Sequence, residues 1–232
     1  MSTSFSNSTA SRRRFLDIGV RGAVVGLFAS GMELGFPPQA RAQSTFSPDT
    51  ALTELMDGNK RFMAERLTAH ELDLAILKQD TIEKQEPFAA VLSCADSRVP
   101  VELVFDQSIG HIFVTRVAGN VVTPEIIASL EYGAAVLGTK VILVMGHANC
   151  GAVKATIQGK EVPGQISAMY PHIQPAVDQA GPSLEATIKA NANFQAGLLS
   201  ESSTVVKELV RAGKLKVAAA YYDVASGSVM LI

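Results

Sequence analysis

Three short apolar runs, at residues 88–93, 112–117 and 141–145, do most to limit the folds open to this chain. None shows the apolar-polar alternation of a strand wetted on one face, so all three are expected as central strands of a parallel sheet covered on both sides. A parallel pair needs a crossover. Residues 124–137 supply one: Ile126, Ile127, Leu130, Ala134 and Leu137 recur at helical spacing between Pro124 and a stop at Gly138. Upstream, Leu52, Leu55, Met56, Phe62 and Met63 predict an amphipathic helix over 50–66, started by Pro48-Asp49. Downstream, a helix over 204–211 closes at Gly213, and 215–222 with 229–232 flank the turn Ala225-Ser226-Gly227 as a terminal strand pair.

The predicted fold class is therefore α/β: a single domain with a mainly parallel central β-sheet flanked by helices, with an antiparallel edge. A length of 232 residues, 47% of them hydrophobic, suits one well-cored domain. The formal charge is only −2, and Lys and Arg form no long run, which argues against a nucleic-acid groove or a polybasic membrane patch.

The first forty-odd residues have a different character. Ser11-Arg12-Arg13-Arg14-Phe15-Leu16 resembles a bacterial twin-arginine export signal, and a mildly apolar stretch follows over 19–36, interrupted by Arg21 and Glu33. That stretch is too weak for a transmembrane anchor. Ala40-Arg41-Ala42 fits the small-x-small rule for signal peptidase. The expectation is a cleaved export signal over 1–42, a catalytic domain over 43–232, and a periplasmic or secreted protein with no stable membrane insertion. Cleavage would remove five basic and two acidic residues, leaving 15 against 20 and a net charge of −5.

The candidate chemistry sits where parallel strands end. Functional groups in open parallel sheets lie just beyond the carboxyl ends of the strands. The two cysteines of the chain fall there, in Ser93-Cys94-Ala95-Asp96-Ser97-Arg98 and in Gly146-His147-Ala148-Asn149-Cys150-Gly151. Two Cys and one His are the protein ligands of a catalytic zinc site, which keeps its fourth tetrahedral position for water, whereas structural zinc usually has four protein ligands. Gly146 and Gly151 would let backbone come close to the ion. Two cysteines in an exported protein can instead form a disulfide, although a disulfide requires neither His147 nor the nearby Asp96 and Arg98. Those last two can pair, holding the carboxylate ionised and fixed in direction beside the metal, or simply bracing the loop. His70, His111 and His172 are given no role.

Cys-x-Asp-Ser-Arg at 94–98 and His-x-x-Cys-Gly at 147–151 resemble the two motifs of the β-class carbonic anhydrases. The likeness extends through Gly58-Asn59-Lys60-Arg61-Phe62, Arg116-Val117-Ala118-Gly119-Asn120, Ser129-Leu130-Glu131-Tyr132 and Tyr222-Asp223, and covers nearly all of 48–232. The resemblance implies one Zn2+ per chain on Cys94, His147 and Cys150, with Asp96 and Arg98 as the catalytic pair. It implies reversible hydration of carbon dioxide to bicarbonate and a proton by zinc-bound hydroxide. Asp96 would become a fourth metal ligand only in a closed form. Gln107 and Gly151 are the candidate substrate-binding residues, and a homodimer or higher homo-oligomer is expected. Hydrolysis of carbonyl sulfide or carbon disulfide on the same ligands, or metal binding without catalysis, are the alternatives.

Overall fold

The computed structural model describes residues 44–69 and 81–232. The export-signal reading of 1–42 and His70 thus fall outside the described residues, which lie within a single compact unit. Helix α1 (Pro48–Met63) starts where expected because Ser47 caps it: its hydroxyl accepts the Thr50 N–H at 3.1 Å, with Pro48 in the first turn. It ends before residue 66 because Glu65 turns left-handed at φ 55°.

Strand β1 (Ala89–Ser93) is buried at every position, and a short helix, α2 (Val101–Val104), follows it. Strand β2 (Ile112–Arg116) leads through a 3-10 turn (Ala118–Asn120) to helix α3 (Pro124–Glu131). The predicted crossover helix over 124–137 is not α throughout: it widens into a π-helical turn (Tyr132–Val136), where Gly133 lies against the Phe113 ring. Gly138 then ends it with φ 77°. Next come β3 (Val141–His147), α4 (Gly151–Gln158), a second 3-10 turn (Ile166–Met169), α5 (Tyr170–Ala180), the long α6 (Leu184–Ser202) and α7 (Thr204–Arg211). Strands β4 (Lys216–Tyr222) and β5 (Val229–Leu231) close the chain.

The sheet order is β2-β1-β3-β4-β5, with β5 alone antiparallel. This corrects one expectation. β2 is parallel but lies at an edge, only half-buried, because just one side of it is paired; Thr115 and Arg116 were its polar signal. Alternate residues of the central strands serve two cores. Ala89, Val91, Leu143 and Met145 pack with Leu55, Val104 and Phe105 of the α1/α2 layer. Ala90, Leu92, Ile142 and Val144 pack with Leu130 of α3, Ala192 and Leu199 of α6, and Val206 of α7. Among the described residues no helix is long and apolar enough to cross a membrane.

Candidate metal centre

The strand order fixes where a site can form. The chain runs from β1 outward to β2 on one side and returns to β3 on the other, so the crossovers diverge at the carboxyl ends of β1 and β3 and leave a crevice there. Ser93 pairs in register with Met145. Cys94, one residue past β1, therefore stands level with Gly146, next to His147 at the end of β3. Cys150 caps the start of α4, and the left-handed Asn149 (φ 58°) turns the chain between the two. The candidate ligand atoms of Cys94, His147 and Cys150 all lie within 4.8 Å of one another, and the three residues are buried.

The donor chemistry fits a thiophilic cation. Nδ1 of His147 is 2.9 Å from the Ala148 carbonyl, which can only accept, so the proton is on Nδ1 and the lone pair on Nε2. That buried Nε2 has no hydrogen-bond partner. Both thiols are free rather than joined to each other. Hydrogen bonding from Cys150, helped by the Gly119 N–H, pulls the Cys94 thiol well below the ordinary range despite burial. Cys150 is pushed the other way by sharing a proton with Cys94 and by burial. One negative charge is easy in this pocket and a second is not, unless a cation replaces the shared proton; soft sulfur with imidazole suits zinc.

Asp96 and Arg98 form the bidentate pair the sequence suggested. Arg98 Nε donates to Oδ1 at 2.9 Å and Nη2 to Oδ2 at 2.8 Å, while the Arg98 N–H adds a bond to Oδ1 at 3.0 Å. The Arg98 guanidinium thereby holds the Asp96 carboxyl far below the usual range, burial opposing it. Asp96 Oδ2 lies 3.9 Å from His147 Nε2, so the carboxylate faces the ligand cluster while remaining on Arg98. Nη2 also reaches the Asn149 carbonyl at 3.3 Å, tying the pair to the loop that carries Cys150.

Two features of the site had no predicted role. Arg116 donates from Nε to the Cys94 carbonyl at 3.1 Å and from Nη2 to the Asp96 carbonyl, bracing the whole 94–96 loop. The Gly119 N–H donates to Cys94 Sγ at 3.3 Å. Both belong to the 116–120 segment, whose significance in sequence was only resemblance.

The two candidate substrate-binding residues are placed differently. Gln107 is buried beneath α1, donating to the Phe105 carbonyl at 3.1 Å and approaching Glu54 at 3.4 Å. It lines a cleft with Glu54, Arg61, Asp106 and His111, to which none of the three candidate ligands contributes. Gly151 opens α4, but a Cβ there would meet nothing within 4 Å, so protein packing does not require glycine at that position. Close approach is instead needed at Gly146, where a Cβ would fall 2.9 Å from Ile188 Cγ2 of α6.

A sequence model of the family described as carbonic anhydrase matches residues 89–229. The carbonic anhydrase of Mycolicibacterium smegmatis is 33% identical over 196 residues, spanning 80% of this chain and 93% of its own. The fold is similar to that of the β-carbonic anhydrase CafA of Aspergillus fumigatus, with TM-score 0.64 and 22% identity over 79% of this chain and 89% of that one. It is also similar to a tetrameric β-carbonic anhydrase of Sordaria macrospora, with TM-score 0.60 and 19% identity over 79% and 97% of the respective chains.

Proposed function

Because the chain belongs to the carbonic anhydrase family, we propose that it hydrates carbon dioxide reversibly to bicarbonate and a proton at one zinc held by Cys94, His147 and Cys150. The observation that carries this reading is the convergence of the three ligand atoms, within 4.8 Å, beside a carboxylate already fixed by arginine.

Bound zinc supplies Lewis acidity, lowering the pKa of water from about 15.7 to about 7 and polarising the substrate's oxygens. The protein's own residues do the rest. With both of its oxygens taken by Arg98 donors, Asp96 stays an acceptor and faces the ligand cluster through Oδ2. It orients a water O–H toward itself and so aims the oxygen lone pair at the carbon of carbon dioxide. Arg98 and Arg116 keep that direction constant, one from the carboxylate and the other from the loop backbone. Val121, Val153 and Ile173 pack around the cysteines and keep bulk water from the thiolates, which strengthens every electrostatic contact inside.

The test is stopped-flow hydration of carbon dioxide by the purified chain, with zinc content measured on the same sample. Activity with about one zinc per chain, lost on chelation, is expected. Zinc without activity from neutral to alkaline pH would overturn the catalytic reading, and absence of zinc with oxidised cysteines would overturn the ligand set.

Site of action and assembly complete the proposal. Residues 1–42 act as a twin-arginine export signal, supported by Arg12, Arg13 and Arg14 and by the Ala40-Arg41-Ala42 cleavage pattern. N-terminal sequencing of periplasmic protein should begin near Gln43; a cytoplasmic chain retaining Met1 would refute this. The protein assembles at least as a homodimer, a reading supported by the exposed apolar Tyr132 and Val136 on the π-helical turn and by the tetrameric structural neighbour. Sedimentation of a monomer at micromolar concentration would refute that.

A further inference from the structure

Helix α6 packs on β3 and β4, yet the face it buries carries polar residues at a spacing of four. Thr187, Asn191 and Gln195 are all completely buried. Burying such groups is unfavourable unless they are bonded, so their partners show what the helix holds in place. Gln195 is fully engaged: Oε1 accepts the Val122 N–H at 2.8 Å, and Nε2 donates to the His172 carbonyl at 2.9 Å and to Asn191 Oδ1 at 3.1 Å. Asn191, with its amide orientation thus fixed, donates from Nδ2 to the Gly119 carbonyl at 2.9 Å. On the other side of that residue, the Gly119 N–H donates to Cys94 Sγ at 3.3 Å.

The 118–120 turn would not hold this conformation unaided. Gly119 and Asn120 are both left-handed, with φ 74° and 46°, and a run of two such residues, one of them not glycine, must be imposed by its surroundings. Gly119 is also pressed by Ile173, whose Cδ1 would lie 2.8 Å from an added Cβ. Asn191 and Gln195 grip the turn on both flanks, at Gly119 and at Val122.

We propose that Asn191, locked by Gln195, is a positioning residue for the metal site: it holds the 118–120 turn so that the Gly119 N–H bonds to the Cys94 sulfur. The inference rests on the reading of Cys94 as a metal ligand. An N–H bond to a thiolate withdraws charge from sulfur and fixes the direction of its lone pairs. In a site with two thiolates, which neutralise much of the ion's charge, such a bond keeps the metal more electrophilic and its ligand in place.

The experiment compares the full chain with Asn191→Asp, Asn191→Leu and Gln195→Glu, using two probes: zinc affinity by chelator competition, and the thiolate-to-cobalt charge-transfer band after loading with Co2+. Asn191→Asp replaces the donor facing Gly119 by an oxygen and keeps the acceptor facing Gln195. Gln195→Glu keeps the acceptor for Val122 and releases Asn191. Each is expected to weaken zinc binding by about tenfold to a hundredfold and to move the charge-transfer band to lower energy, since a less hydrogen-bonded sulfur is a better electron donor. Thr187→Val is the structural control: it loses bonds to the Gly181 and Ser183 carbonyls just ahead of α6, neither of which belongs to the 118–120 turn. It should keep the wild-type band and affinity.

A wild-type chain without the charge-transfer band would refute the ligand reading itself. A wild-type band that Gln195→Glu and the folded Asn191 variant leave unmoved would refute the positioning role alone. So would a Thr187→Val band displaced as far as theirs.

Discussion

Alanine at Gly58 should destabilise the protein, whereas the same change at Gly197 should stabilise it. Both glycines lie inside helices, α1 and α6 respectively, where alanine is intrinsically better by about 1 kcal/mol. At Gly197 a Cβ would meet nothing within 4 Å, so the propensity gain should appear nearly whole, as about 0.5–1 kcal/mol. At Gly58 the Cβ would fall 1.8 Å from the Phe105 carbonyl oxygen, about 1.2 Å short of the 3.0 Å that real Cβ atoms keep. The obstacle is backbone and cannot rotate away, so α1 must lift from the 104–107 segment. Lifting strains the neighbouring Asn59, whose Nδ2 donates to the Val104 carbonyl at 3.1 Å and the Gly227 carbonyl at 2.9 Å, and whose Oδ1 accepts the Val229 N–H at 2.8 Å. Overpacking alone costs about 1–3 kcal/mol, and a buried hydrogen bond left unmade costs about 1–3 more. Against about 1 kcal/mol of helix propensity, a net loss of about 3 kcal/mol is expected. Urea unfolding at fixed protein and zinc concentration would measure both changes. Two shifts of the same sign, or Gly58→Ala within about 0.5 kcal/mol of wild type, would refute the claim that α1 is seated by contact between Gly58 and the Phe105 carbonyl.

Asp96→Asn should retain zinc and lose about a hundredfold or more of the hydration rate; full activity in stopped-flow assays would remove the carboxylate from the mechanism. Cys150→Ala should lose the metal, and one zinc per chain by elemental analysis would show the ligand set to be wrong. Burial works against ionising Asp106, but the Ala69 N–H, the Arg61 guanidinium and Thr68 more than offset it and bring its carboxyl down to about 2. A pKa depressed on folding contributes stability that is present above the unfolded value of about 4 and lost as pH falls through about 2. Asp106→Asn should therefore cost about 2 kcal/mol at neutral pH and progressively less as pH falls from about 4 to about 2; a destabilisation as large at the bottom of that window as at neutral pH would contradict this. Gln107→Ala should lower stability and leave KM for carbon dioxide unchanged, because its amide serves the Phe105 carbonyl in a separate cleft; a raised KM would place it at the substrate after all.

The core of the site was legible in sequence because its residues end the most readable elements. Unbroken apolar runs mark β1 and β3, and once those are strands Cys94, just past β1, and His147, at the end of β3, must sit together at the sheet's carboxyl edge. Asp96 and Arg98 stood out because they directly follow Cys94, and their two-residue offset lets the fork meet the carboxylate. The edge position of β2 was only hinted at, by Thr115 and Arg116, since edge and centre differ by pairing partners that spacing does not reveal. Helix α6 was missed for a more informative reason. Its buried stripe includes Thr187, Asn191 and Gln195, so the apolar periodicity that announces a helix is broken by residues selected to hold other backbone. Gln107 rested on resemblance alone, and its amide here serves the Phe105 carbonyl.

The spacing of the three proposed ligands along the chain also orders events during folding. His147 and Cys150 are three residues apart and can meet an ion as soon as one turn forms, but Cys94 lies more than fifty residues upstream, across β2 and α3. It reaches them only when β1 has zipped to β3 in parallel, a long-range pairing of the kind that forms slowly. Tight retention of metal is thereby a report on one particular strand pairing. A chain mispaired at β1 would continue to exchange its metal freely, however well its helices had formed.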